Sequence, residues 1–161
     1  MSPPLATRRT VLIVDDLEAN RTLLERSLAS AGYRTLCADD GTNALALLRG
    51  GESIDIVLLD WMMPGLSGLD TLRAIRQTHS QDSLPVIMCT AVGEDDNIVD
   101  AIESGANDYV VKPISLPVLR ARMATHLSRS HTISALEHER EASVRRMSEQ
   151  MRRLMEQRAA D

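Results

Sequence analysis

The stretch TVLIVDD, residues 10–16, runs apolar residues straight into a pair of aspartates. Val, Ile and Leu with no intervening charge suit a strand buried on both faces, and the acids mark where it leaves the core. Four further short apolar runs follow: RTLCA (34–38), IDIVLL (54–59), PVIMC (85–89) and DYVVK (108–112). The segments between them have helical spacing. LEANRTLLERSLASAGY (17–33) sets Leu24 and Leu28 four apart and closes at Gly32, a residue suited to the turn after a helix. GTNALALLRGG (41–51) ends on a glycine pair, and GLDTLRAIRQT (68–78) repeats Leu69, Leu72 and Ile75 at three. EDDNIVDAIESGA (94–106) opens on acids, which suit a helix N-terminus, and closes on Gly105. Strand-length runs alternating with short helices predict βαβ units, and so an α/β domain whose parallel sheet is covered on both faces.

After Pro113 the texture changes. Ser115 suits a helix cap, Pro117 is tolerated in a first turn, and neither Gly nor Pro follows before the chain ends at Asp161. A continuous helix of about 45 residues would reach roughly 68 Å, far more than one small domain needs. Val144, Met147, Met151 and Leu154 follow the 3–4–3 spacing of a coiled-coil seam. Traced backward, that frame passes through Arg140 and Glu137 to Ile133. A second frame through Leu119, Met123 and Leu127 leads to Leu136, and the two meet out of phase near Arg140. The expected organisation is an N-terminal tail over 1–7, a compact domain over 8–127, and a helical extension over 128–161 that forms a homodimeric coil or leads to a further domain. The competing reading is an amphipathic helix lying on its own domain.

Bulk composition excludes several classes. The chain is 43% hydrophobic and 25% charged over 161 residues, ordinary globular usage, but only 2% aromatic, so the core must be aliphatic and methionine-rich. A net charge of −5 without a basic, aromatic-interleaved patch argues against direct nucleic-acid binding. No apolar run approaches membrane-spanning length, and MSPPLATRRT lacks the apolar core of a secretory signal, so a cytoplasmic protein is expected. Cys37 and Cys89 sit in separate apolar runs with no metal spacing, and are read as buried, reduced thiols.

In an open parallel sheet, ligands bind beyond the carboxyl ends of the strands. The first run ends in Asp15 and Asp16, the third in Asp60, the fourth in Thr90, and the fifth in Lys112, the only lysine among 18 basic residues. Three carboxylates, a hydroxyl and an ammonium therefore converge on one rim. Carboxylates so close repel, and a hard divalent cation such as Mg²⁺ relieves the repulsion through oxygen ligands. A carboxylate beside Mg²⁺ and lysine is a credible phosphoryl acceptor, because the cations absorb charge on the transferring group.

The stretches LIVDD, IVLLDWMMPGLSGLD, IMCTA and GANDYVVKPI, with their spacing, resemble the receiver domain of bacterial response regulators over residues 8–127. The resemblance implies a doubly wound, flavodoxin-like sheet of five strands in the order 2-1-3-4-5. It implies that Asp60 takes a phosphoryl group from the phosphohistidine of a histidine kinase or phosphotransfer protein. Asp16, Asp60 and the Met62 carbonyl would hold Mg²⁺, with Asp15 assisting through water. Thr90 would contact the phosphoryl group, Lys112 would pair with Asp60 and then with phosphate, and Tyr109 would be a rotameric switch responding to Thr90. The Lys112–Pro113 peptide would be cis. The output, a diguanylate cyclase or another module or effector protein, would lie outside this chain. A stand-alone adaptor or phosphate sink is the alternative.

Other features read blandly. PGLSG (64–68) lacks the Lys-Ser/Thr of a phosphate loop and is expected to be a turn. Met62, Met63 and Met88 read as packing; His126, His131 and His138 as solvated; Trp61 as half-exposed beside the acceptor. An aspartate-nucleophile phosphatase of the haloacid-dehalogenase type needs a second acid two residues after its nucleophile, where this chain has Met62.

Overall fold

A computed structural model describes residues 8–91 and 95–160. Five strands alternate with five helices: β1 (Thr10–Val14), α1 (Glu18–Ser30), β2 (Arg34–Ala38), α2 (Gly41–Arg49), β3 (Ile56–Asp60), α3 (Gly68–Arg76), β4 (Val86–Ala91), α4 (Asp95–Glu103), β5 (Asp108–Lys112) and α5 (Leu116–Ala160). All pairings are parallel and the order is β2-β1-β3-β4-β5, as expected. β1 and β3 are buried along their whole length, whereas β2 and β5 are half-exposed edges. That is the pattern of apolar density in the runs themselves.

Alternation along the strands divides the core in two. Leu12, Val14, Val57, Leu59 and Met88 face α2, α3 and α4, where Ala44, Leu72, Ile75 and Ala101 meet them. Val11, Ile13, Leu58, Ile87 and Val110 face α1 and α5, where Leu24, Leu28, Leu119, Met123 and Leu127 meet them. Leu28 and Leu119 have no exposed surface, so cutting either to alanine costs about 2–5 kcal/mol.

Asp40 caps α2 by accepting from Asn43 N–H at 2.7 Å, and Ser67 caps α3 by accepting from Asp70 N–H at 3.1 Å. Gly32, with φ 96°, follows α1 in the left-handed region where glycine is favoured. PGLSG is a bend rather than a phosphate loop, with Gly65 at φ 76°. Gly68 answers to a different constraint: a Cβ there would stand 2.2 Å from the Asp60 carbonyl oxygen and 2.8 Å from Trp61 Cα. The start of α3 is thus packed directly on the chain that leaves β3.

Three readings of single residues need correction. Met62 is 68% exposed and belongs to neither core cluster, because the chain turns outward after β3. His126 is not solvated: it lies half-buried at 15% side-chain exposure with Nε2 2.9 Å from Asp108 Oδ2, on the strand that precedes its own helix. Cys89 is buried as read, but Cys37 is only half-buried, on the edge strand. The N-terminal tail 1–7 lies outside the described residues.

Candidate functional site

Strand order reverses at β1: the chain goes to β2 on one side and returns to β3 on the other. Such a switch point opens a crevice at the carboxyl ends of the two strands. The last residue of β3 is Asp60, and Asp15 and Asp16 follow β1 directly. Ligand oxygens of the three carboxylates all lie within 4.8 Å of one another. Asp15 and Asp60 are 3% and 5% exposed, whereas Asp16 is partly exposed to solvent.

Each buried acid is held. Asp15 accepts from Leu17 N–H at 2.9 Å and from Asn20 Nδ2 at 3.1 Å, which ties it to the start of α1. Arg21 donates to the Asp15 carbonyl oxygen at 2.7 Å. Asp60 accepts from Lys112 Nζ at 2.9 Å, and the same ammonium reaches Asp15 Oδ2 at 3.4 Å. Lys112 arrives from the far edge strand, just before a cis Lys112–Pro113 peptide. Sequence reasoning missed Asn20 and Arg21; their signal was position, in the first turn of the helix that follows the aspartate pair.

Burial pushes the Asp60 carboxyl up from its ordinary range. Lys112 pulls it back through hydrogen bond and charge, and Asp15 pushes it further up. Burial lowers the Lys112 ammonium, but the hydrogen bond and charge of Asp60, with the charge of Asp15, outweigh it and leave it raised. One ammonium thus pairs with two of the three clustered carboxylates, Asp60 and Asp15. The donors are hard oxygens, which fits Mg²⁺.

Thr90 ends the buried part of β4 at 2% exposure, and among the described residues its Oγ1 has no hydrogen-bond partner. A buried hydroxyl left unpaired is costly, so it invites an acceptor. The register pairs Met88 with Tyr109 and Thr90 with Val111, so Thr90 and Tyr109 lie on one face of neighbouring strands. Tyr109 is half-buried against the core of that face. Cys89, between them, faces the other way; burial drives its thiol up to about 12, so it stays protonated.

These features define a switch-point α/β domain with an acidic, lysine-capped rim. The response regulator receiver domain family matches residues 11–124, and the chain belongs to that family. It is similar to chemotaxis protein CheY of Pseudomonas aeruginosa, 42% identical over 114 residues, which are 70% of this chain and 91% of that protein. It is 46% identical over 121 residues to the transcriptional regulatory protein CpxR of Escherichia coli, 75% of this chain but 50% of that protein. Against several transcriptional regulators, then, the chain spans about half of the relative's length. Among solved structures, the signal receiver domain of a LuxO repressor-like protein from Vibrio parahaemolyticus superposes with a TM-score of 0.73 at 30% identity, covering 81% of this chain and 98% of that one. Receiver domains signal in two-component systems and bind Mg²⁺ in an acidic pocket, and the aspartates here form such a cluster.

Proposed function

We propose that Asp60 is the phosphoacceptor of a signalling switch. An oxygen of its carboxylate attacks the phosphorus of a phosphohistidine on a histidine kinase or phosphotransfer protein. The P–N bond breaks, and the imidazole takes up a proton. Asp16, Asp60 and the Met62 carbonyl would hold Mg²⁺, with Asp15 beside them; when bound, the ion neutralises charge on the transferring group. Lys112 starts on Asp60 and follows the charge onto the phosphoryl oxygens. Thr90 Oγ1 gains the acceptor it lacks. Tyr109, on the same face, takes the space Thr90 leaves. The observation that carries this reading is the pairing of Lys112 Nζ with Asp60 at 2.9 Å beside an unpartnered buried hydroxyl.

The test is chemical localisation. Acyl phosphate formed from acetyl phosphate and Mg²⁺ is reduced with borohydride and the peptides are mapped. Modification at residue 60 alone is the expected result; modification at Asp15 or Asp16 instead overturns the assignment.

The domain is a cytoplasmic switch rather than an enzyme, with slow self-dephosphorylation at most. Its change at the face of α4, β5 and α5 passes into a parallel homodimeric coil over residues 128–155. The exposed seam supports this: Val144, Met147, Met151 and Leu154 are 54–68% exposed on one continuous helix. The output is a module outside this chain. A diguanylate-cyclase-type output is favoured by likeness to a putative response regulator/GGDEF domain protein, TM-score 0.69 at 28% identity, of which this chain covers 51%. A stand-alone adaptor is the alternative.

A further inference from the structure

Between the domain and the apolar seam, the frame through Val144 and Met147 places Glu137 and Arg140 on the coil-facing positions. Both are exposed, on unbroken helix. Among the described residues neither makes an ion pair within the chain, although Arg152 and Glu156 on the same helix do. The positions flanking the seam from 141 to 157 are Glu141, Ser143, Ser148, Gln150, Met155 and Gln157, and only Glu141 is charged. The rim of a coil therefore has almost nothing with which to fix orientation or register. Glu137 and Arg140, by contrast, are charged residues at positions of the seam itself.

We infer that Glu137 and Arg140 form an interchain ionic layer with the same two residues of a second copy, and that this layer fixes the register of a parallel coil. The inference rests on the dimer reading above and goes beyond it. In a parallel pair each residue faces its own kind, but the Glu137 layer and the Arg140 layer are adjacent, about 4.5 Å apart along the helix. Each glutamate then reaches the arginine of the other copy, and the four charges cancel. An antiparallel pair can match Glu137 with Arg140 only by carrying Met147, Met151 and Leu154 back beside Ser130, His126 and Met123 of the other copy. Those positions are taken: Met123 is buried in its own domain, His126 holds Asp108, and Ser130 Oγ donates to the Asp82 carbonyl at 2.7 Å. Antiparallel pairing of the apolar seam alone would set Arg140 against Arg158. Only the parallel arrangement serves both the apolar and the ionic positions. A buried ionic layer adds specificity more than stability.

The experiment is sedimentation equilibrium on the full chain with Glu137→Arg, Arg140→Glu, the double swap, and an equimolar mixture of the two single variants. Each single variant gathers four like charges in the two adjacent layers and is expected to weaken self-association by about tenfold or more. The double swap restores it, and the mixture forms heterodimers in preference to either homodimer. Circular dichroism checks that the helix persists in each variant. Single variants that dimerise like the wild type overturn the ionic layer and leave the dimer standing. A wild-type chain that stays monomeric at high concentration, with and without phosphoryl mimic, overturns both.

Discussion

Lys112 is the only lysine in a chain otherwise furnished with arginine, and its ammonium sits between two buried carboxylates at 2.9 and 3.4 Å. A guanidinium keeps the charge but is larger and prefers forked partners. Lys112→Arg is therefore expected to slow phosphoryl uptake by about tenfold or more, at the modest end of what a lost charge-stabilising contact costs. A mass time course with acetyl phosphate measures it, and an unchanged rate would mean that the lysine's shape is immaterial. Thr90 makes a prediction of opposite sign for the resting state. Removing a buried, unpartnered hydroxyl is expected to leave stability unchanged or raise it by about 1 kcal/mol. Thr90→Val should thus resist urea at least as well as wild type while failing to respond to phosphorylation. Gly68→Ala, with a Cβ 2.2 Å from the Asp60 carbonyl, should lose about 1–3 kcal/mol through overpacking against the acceptor loop, read by urea denaturation. Met62 and Val92 stand two residues beyond Asp60 and Thr90, where apolar groups would hinder a hydrolytic water. Met62 is exposed beside the acceptor, and Val92 lies outside the described residues. Met62→Asn is expected to shorten the lifetime of the phosphorylated form, measured by its decay in intact mass.

At the scale of elements, α5 is tied to the sheet by more than its apolar stripe. Asp108, at the start of β5, accepts from Arg122 Nη1 at 2.8 Å and sits 2.9 Å from His126 Nε2. Burial alone would raise the Asp108 carboxyl. The hydrogen bonds of His126, the Tyr109 N–H and Arg122, with the arginine's charge, together hold it below the ordinary value. A depressed carboxylate stabilises the fold above its unfolded pKa, and that contribution disappears as pH falls through the lower, folded value. Asp108→Asn should therefore cost about 1–3 kcal/mol at neutral pH. The gap from wild type should close below the ordinary aspartate range near 3.8. Urea melts at both pH values decide this; a gap that persists in acid would assign the loss to packing. Arg76 plays a similar part on the other face. From the end of α3 it donates to the carbonyl oxygens of Gly105 and Leu84 at 2.7 and 2.8 Å and to Asn107 Oδ1 at 2.8 Å. Burial lowers its guanidinium to about 10, still charged at neutral pH. It joins the chain ends entering β4 and β5.

Taken whole, the molecule is a small domain with a long helical extension. The domain was legible because its strands are unbroken apolar runs, and because the residues at their ends are the ones chemistry needs. The site was legible for the same reason: a strand end fixes where a side chain points, so Asp60 and Lys112 could be placed together from 52 residues apart. What escaped were side chains that act across the fold without periodicity. His126 looked solvated because its partner, Asp108, is 18 residues away on a strand. Arg76 reaches acceptors 29 and 31 residues on. Met62 looked like core because it is apolar, although the tight approach of Gly68 turns the chain outward there. The extension was legible because nothing breaks the helix between Leu116 and Ala160. Spin labels at Ser143 and Ser148 are expected to report interhelix distances that change when a phosphoryl mimic binds. Unchanged distances would make the helix a passive tether.

Asp60 alone should accept the phosphoryl group, with Mg²⁺ required. Intact mass of the wild type and Asp60→Asn, each incubated with acetyl phosphate and Mg²⁺, tests it most directly. The expected result is one added phosphoryl group on the wild type, none on the variant, and none on the wild type when the metal is chelated. Equal labelling of both proteins would contradict the account.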